Sequence, residues 1–241
     1  MTILSLENIT AKHGLLTAVH DLSLDIAEGE VVSVIGANGA GKTTLMRLIA
    51  GAHPLGGGTL TFNGADIGRQ TSFERVRAGI AMSPEGRRLF PEMTVRENLA
   101  IAGENGRKGH WTLDIVLEAF PQLAPLLGQT AGGLSGGQRQ AVAIGRALMA
   151  NPSLILLDEV SLGLSPAAVD LVYQSLETLK GQMTMIIVEQ DLARAMAFST
   201  RILCMAEGVL ELDGAPDALS REQITNAYFG IHKADEEQAH A

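Results

Sequence analysis

The chain has a single cysteine, Cys204, set in the apolar run Ile202-Leu203-Cys204-Met205. One thiol excludes an intrachain disulfide and a cysteine-based metal cluster, and its setting predicts a small buried hydrophobe. Aromatic residues are also scarce, at 4% of 241 positions, which excludes an aromatic stacking platform for single-stranded nucleic acid. Positive charge is in deficit. The 18 Lys and Arg against 27 Asp and Glu leave a formal net charge of -9, so an extended duplex-binding surface has no basic footprint. No window reaches the roughly 18 uninterrupted apolar residues of a membrane helix. The stretch Met1 to Asn8 lacks the basic segment and apolar run of a signal peptide. Together these absences predict a cytoplasmic protein whose membrane contact must come through a partner.

What is present suits a large α/β domain. Hydrophobic residues make up 46% and charged residues 19%, enough apolar material for a core. Short apolar runs alternate with helical stretches: Val31–Ile35, Ile80–Ser83, Leu154–Asp158, Met185–Val188 and Arg201–Met205 read as strands covered on both faces. The N-terminal part differs, with Ile3–Ala11, Ala18–Ile26 and Thr59–Phe62 reading as antiparallel strands and Gly56-Gly57-Gly58 as a flexible turn before the last. Val169, Val172, Leu176 and Leu179 recur at helical spacing. The expected architecture is a largely parallel sheet, an antiparallel β subdomain and a helical subdomain inserted at about 94–150. One domain would cover 1–231, followed by a polar tail, 232–241.

Val31–Ile35 runs straight into Gly36-Ala37-Asn38-Gly39-Ala40-Gly41-Lys42-Thr43, then Thr44 and a helical stretch. Strand, glycine-rich turn, Gly-Lys-Thr and helix in that order form the phosphate-binding P-loop pattern. Glycines let backbone amides turn toward phosphate oxygens, and the helix start directs its positive end at the same place. Lys42 is expected to reach the β- and γ-phosphates of ATP, and the Thr43 hydroxyl to ligate Mg²⁺. Leu154-Ile155-Leu156-Leu157-Asp158-Glu159 is a buried strand ending in two acids, at the sheet edge where ligands of open α/β folds bind. Asp158 is expected to hold Mg²⁺, and Glu159 to act as the base toward the attacking water.

Leu134-Ser135-Gly136-Gly137-Gln138 precedes a helical run from Arg139 to Ala150. Ser135 can cap that helix, and the glycines let its first amides approach an anion. These residues resemble the signature of the ABC ATPase family, and the resemblance covers nearly the whole chain. It implies that two such domains enclose two ATP molecules head to tail, each signature meeting the γ-phosphate in the other's P-loop. The stretch Pro84-Glu85-Gly86-Arg87-Arg88-Leu89-Phe90-Pro91-Glu92-Met93, with Ala143–Met149 and Ser161–Pro166, is similar to one branch, the second (F-type) ATP-binding subunit of branched-chain amino-acid importers. That implies a second ATPase subunit (a copy or a G-type partner), two transmembrane permease subunits and, indirectly, a substrate-binding protein. A urea or other small-solute importer, and a regulatory subunit with little turnover, are the competing readings.

Several positions depart from the wider family. Glu85 stands where most members have the Gln that senses Mg²⁺ and water. Gln190 replaces the His at the γ-phosphate, and Gln cannot become cationic. His13 falls where a Tyr usually stacks on adenine. Val160 replaces the Pro after the Asp-Glu pair. By resemblance, the groove that receives the permease is lined by Arg87, Arg88, Leu89 and Phe90.

Overall fold

Leu22, Leu24 and Ile26 are buried while Ser23 and Asp25 between them are exposed, the two-residue period of a strand with one covered face. They lie on β2 (Leu16–Ala27), which pairs antiparallel with β1 (Thr2–His13). The computed structural model describes residues 1–229, so the polar tail 232–241 lies outside the described residues. Within it the chain forms two units: Met1–Arg69 with the segment from Val188 onward, and Gln70–Ile187.

In the first unit β1 also pairs with β4 (Gly57–Phe62), and β5 (Ala65–Asp66) continues that antiparallel sheet. The three glycines are therefore not a free turn, because Gly57 and Gly58 lie inside β4. The register of β1 slips between Glu7 and Thr10, and a Cβ on Gly58 would stand 2.4 Å from both the Glu7 and Asn8 carbonyl oxygens. Glycine is needed where the two backbones pass this closely. A second set of strands joins β3 (Val31–Ile35) in parallel to β9 (Arg201–Ala206), with β10 (Val209–Gly214) antiparallel beyond it. Every residue of β3 is buried. Ile35, Ile202 and Cys204 pack with Ala195 of α7 (Leu192–Phe198) and Ile224 of α8 (Arg221–Phe229). Burial pushes the Cys204 thiol up to about 11, so it packs as a hydrophobe. α1 (Lys42–Ile49) follows β3.

The second unit is built on β6 (Ile80–Ser83), β7 (Leu154–Leu157) and β8 (Thr184–Val188), paired in parallel from Ile80↔Leu154 and Leu154↔Thr184. Parallel neighbours need long crossovers, and those here are helical. Before β6 comes α2 (Ser72–Ala78). Between β6 and β7 lie α3 (Val95–Asn105), α4 (Leu113–Ala119), a 3₁₀ turn (Pro121–Leu126) and α5 (Gly136–Met149). α6 (Pro166–Glu177) follows β7. α3, α4 and the 3₁₀ turn converge on α5 at Gly145, where an added Cβ would lie 3.2 Å from Leu99, Val116 and Leu123. Val169, Val172 and Leu176, on one stripe of α6, are all buried. Among the described residues no helix is long and apolar enough to cross a membrane.

Candidate nucleotide site

The first unit holds the phosphate loop. β3 is followed by Gly36, whose φ is 144 and whose Cβ, if present, would stand 2.1 Å from the Met205 carbonyl oxygen. The chain can leave the strand here only as glycine. The loop then closes on its own lysine. Lys42 Nζ donates to the carbonyl oxygens of Gly36 at 2.7 Å and Ala37 at 2.8 Å, and Lys42 is 5% exposed. Asn38 and Gly39 form the exposed crest, while Ala40 is buried and accepts from the Gly208 amide at 3.1 Å. Gly208 in turn accepts from the His20 amide at 2.9 Å, so β2 and the β9–β10 turn brace the loop from behind. Thr43 and Thr44 open α1 and are half-buried.

His13, at the end of β1, is hydrogen bonded through Nε2 to Thr44 Oγ1 at 3.1 Å. Its ring lies 4.5 Å from that of His53 at an interplanar angle of 36°. His53 titrates below the usual histidine range because of burial and, next, the neighbouring His13. Gln190 follows β8, and the preceding residue, Glu189, donates its amide to Val34 of β3 at 3.2 Å. Glu189 is 1% exposed, and its Oε1 accepts from the amides of Gln190 at 2.9 Å and Asp191 at 3.2 Å. That buried carboxylate shapes the turn carrying Gln190. Sequence reading assigned it no role, although an acid directly after the apolar run Met185–Val188 was the available signal.

The second unit holds the acids and the signature. The Asp158 amide donates to Ser83 at 3.0 Å, tying the end of β7 to the end of β6, two residues before Glu85. Asp158 is 1% exposed, Glu159 is half-buried with φ at 52, and Glu85 is exposed. Val160 is wholly buried, so the residue in place of proline serves the core. Ser135 caps α5 reciprocally: its hydroxyl accepts from the Gln138 amide at 3.3 Å, and Gln138 Oε1 accepts from the Ser135 amide at 2.8 Å. Leu134 is buried and anchors the turn, and the Arg139 guanidinium donates to its carbonyl. A Cβ on Gly137 would lie 2.7 Å from Ala168 Cβ, and one on Gly136 would lie 3.3 Å from Leu164.

The segment expected to receive a permease divides. Arg88 and Phe90 are exposed, Phe90 at 48%, and Leu89 is half-buried. Arg87 instead turns into its own chain, donating Nε to Gln140 Oε1 at 2.9 Å and Nη2 to the Leu162 carbonyl at 3.1 Å. Thus the first unit carries His13, Gly36–Thr44 and Gln190, and the second carries Glu85, Asp158, Glu159 and Leu134–Gln138. Within the second unit Asp158 and Glu85 offer two carboxylates, and in the first Thr43 offers a hydroxyl; these are hard oxygen donors of the kind Mg²⁺ takes.

Residues 19–161 match the family described as ABC transporter. The chain is 38% identical over 232 residues to the high-affinity branched-chain amino acid transport ATP-binding protein BraG of Pseudomonas aeruginosa, covering 95% of this chain and 100% of that one. It is 32% identical over 221 residues to the probable branched-chain amino acid transport ATP-binding protein LivF of Archaeoglobus fulgidus, covering 90% and 94%. Among solved structures it resembles a dimeric post-hydrolysis state of an ATP-binding cassette bound to ADP and Pi, with a TM-score of 0.79 at 26% identity over 89% of this chain and 99% of that one. A P-loop closed on its own lysine, a capped signature helix and these likenesses along most of the chain lead to one assignment: the protein belongs to the ABC transporter family and is one of its nucleotide-binding ATPase cassettes.

Proposed function

We propose that this cassette is the energy-coupling subunit of an importer of branched-chain amino acids. The observation that carries the reading is the likeness to BraG across nearly the full length of both chains. A single ABC domain over 1–231, with the helices of 94–150 as its inserted subdomain and 232–241 as a tail, is the unit that would do this work. It would sit at the cytoplasmic face of the membrane on two permease subunits, with Arg88, Leu89 and Phe90 offering the charge and apolar anchors common at interfaces. A substrate-binding protein would act on the far side.

In this reading Gly36–Thr44 wrap the phosphates of ATP, and Lys42 exchanges its loop carbonyls for β- and γ-phosphate oxygens. His13 stacks on the adenine. Thr43, Asp158 and Glu85 are the residues that would hold Mg²⁺, and the ion would supply neutralisation of phosphate charge. Glu159 takes the proton of the attacking water as the new oxygen–phosphorus bond forms and the bond to the ADP oxygen breaks. Gln190 donates a hydrogen bond to the γ-phosphate. Ser135 and the Gly136 and Gly137 amides meet the nucleotide of a second ATPase subunit, a copy of this chain or a G-type partner, so that ATP joins the pair and hydrolysis releases it.

Steady-state phosphate release by wild type and Glu159→Gln tests the ATPase core. Loss of the base should slow turnover by roughly 10²–10⁴-fold while ATP binding persists. Equal rates would remove Glu159 from the chemistry and favour a regulatory subunit. ATP-driven uptake of labelled leucine, isoleucine or valine by the complex in proteoliposomes tests the cargo, and uptake of none of them overturns it.

A further inference from the structure

The loop after Glu85 contains two consecutive non-glycine residues in the left-handed region, Arg87 at φ 64 and Arg88 at φ 47. Side chains disfavour that conformation, and it persists only where surrounding contacts impose it. Here α5 imposes it. Arg146 donates Nη1 to the Arg88 carbonyl at 2.8 Å and Nη2 to the Arg87 carbonyl at 3.0 Å. The left-handed turn sends the Arg87 side chain inward, where one guanidinium reaches two further elements. Nε meets Gln140, which is 3% exposed on α5, two residues beyond Gln138, the partner of the Ser135 cap. Nη2 meets the carbonyl of Leu162, in the loop that begins at Glu159, itself left-handed at φ 52. Burial, and then Arg139 nearby, press the Arg87 pKa below the usual arginine value. So this cation is kept in an unfavourable setting, and its two hydrogen bonds are what the setting gains.

The signature turn and the Ser161–Ser165 loop already touch, since Gly136 leaves room for Leu164. Arg87 adds the third loop to that pair. We propose that Arg87 is a positioning residue that fastens the loop after Glu85 to the signature helix and to the loop after Glu159, so that these three segments shift together. The purpose of the motion rests on the ATPase reading above: a permease pressing on exposed Arg88 and Phe90 would, through Arg87, move Ser135 and Glu159 in the same step. A planar guanidinium fixes two acceptors in set directions. A lysine ammonium keeps the charge but not the fork.

The test uses the full chain as Arg87→Lys, Gln140→Leu and the double variant, with hydrogen exchange followed by mass spectrometry. Arg87→Lys should speed exchange at amides of both 134–140 and 160–165. Gln140→Leu should speed the first set alone, the double variant should match Arg87→Lys, and the phosphate-loop amides of 36–43 should not change. Unchanged exchange at 160–165 in Arg87→Lys, or summed effects in the double variant, overturns the proposal. In turnover, Arg87→Lys should lower kcat about ten- to a hundredfold with KM for MgATP within twofold, since misplacement of reacting groups is costly even at small distances. A raised KM with unchanged kcat overturns it as well. If the wild type releases no phosphate, the ATPase reading fails, and the exchange pattern still decides for or against Arg87.

Discussion

A Cβ placed on Gly41 would stand 2.4 Å from the carbonyl oxygen of Ala18, and Gly41 holds φ at 98. Two costs therefore meet in any substitution there. The backbone conformation is closed to ordinary side chains, and the collision is with main chain that cannot rotate aside. Because Gly41 is the cap of α1, the strain passes directly to Lys42 and the first helical amides. Gly41→Ala should destabilise the chain by about 1–3 kcal/mol and weaken ATP binding more than tenfold. Gly39, at φ 86, has nothing within 4 Å of its would-be Cβ, so Gly39→Ala carries the conformational cost alone and should be milder. Thermal unfolding and titration with a fluorescent ATP analogue would check this. Equal losses at the two positions would remove the Ala18 contact from the explanation.

His53 gives stability a dependence on pH. Its folded pKa lies below 6.5 because of burial first, then the charge of His13 and, more weakly, Arg47, while a hydrogen bond to the Lys12 backbone opposes them. The folded state therefore binds fewer protons at this site than the unfolded chain does. Its contribution is fully present above pH 6.5 and is lost as pH falls through the lowered folded value. Part of the drop in unfolding temperature between pH 7 and pH 5 should disappear in His53→Gln, which cannot titrate. An identical drop in both proteins would show that another group carries the dependence.

The parts of the site that the sequence made legible are those whose chemistry needs neighbouring residues. Gly36–Thr43 could be read because one turn must supply amides, a cation and a hydroxyl in a single contiguous run. Asp158 and Glu159 stand out in the sequence because two acids follow an apolar run, and the structure places them directly after buried β7. Ser135 and Gln138 carry the spacing of a capping box, which the structure forms. Arg87 lay beyond that kind of reading. Its partners are Gln140 and Leu162, far along the chain, and a basic residue in a loop looks the same whether it faces solvent or its own core. The glycines before Thr59 misled for a related reason: three in a row suggest a turn, and only the slipped register of β1 shows why a strand needs them. Val160 could be seen to differ from proline, but its complete burial is a property of packing.

Gln190 offers the sharpest test of how the γ-phosphate is handled. Neighbouring residues help to hold the turn that presents it. Glu189 anchors to Val34 and accepts from the Gln190 amide, and the Asp191 side chain caps α7 by accepting from the Arg194 amide at 3.1 Å. A glutamine amide can donate one neutral hydrogen bond, whereas a protonated imidazole donates a charged one, roughly twice as strong. Charge builds on the transferred phosphoryl oxygens, so the difference should fall on kcat and not on KM. Gln190→His is expected to raise phosphate release by about three- to tenfold near pH 6, and the gain should fade as pH rises past the imidazole range of about 6.5. Gln190→Ala should lower it about tenfold. A rate for Gln190→His equal to wild type across pH 6 to 8 would mean that residue 190 does not touch the phosphate when the bond breaks.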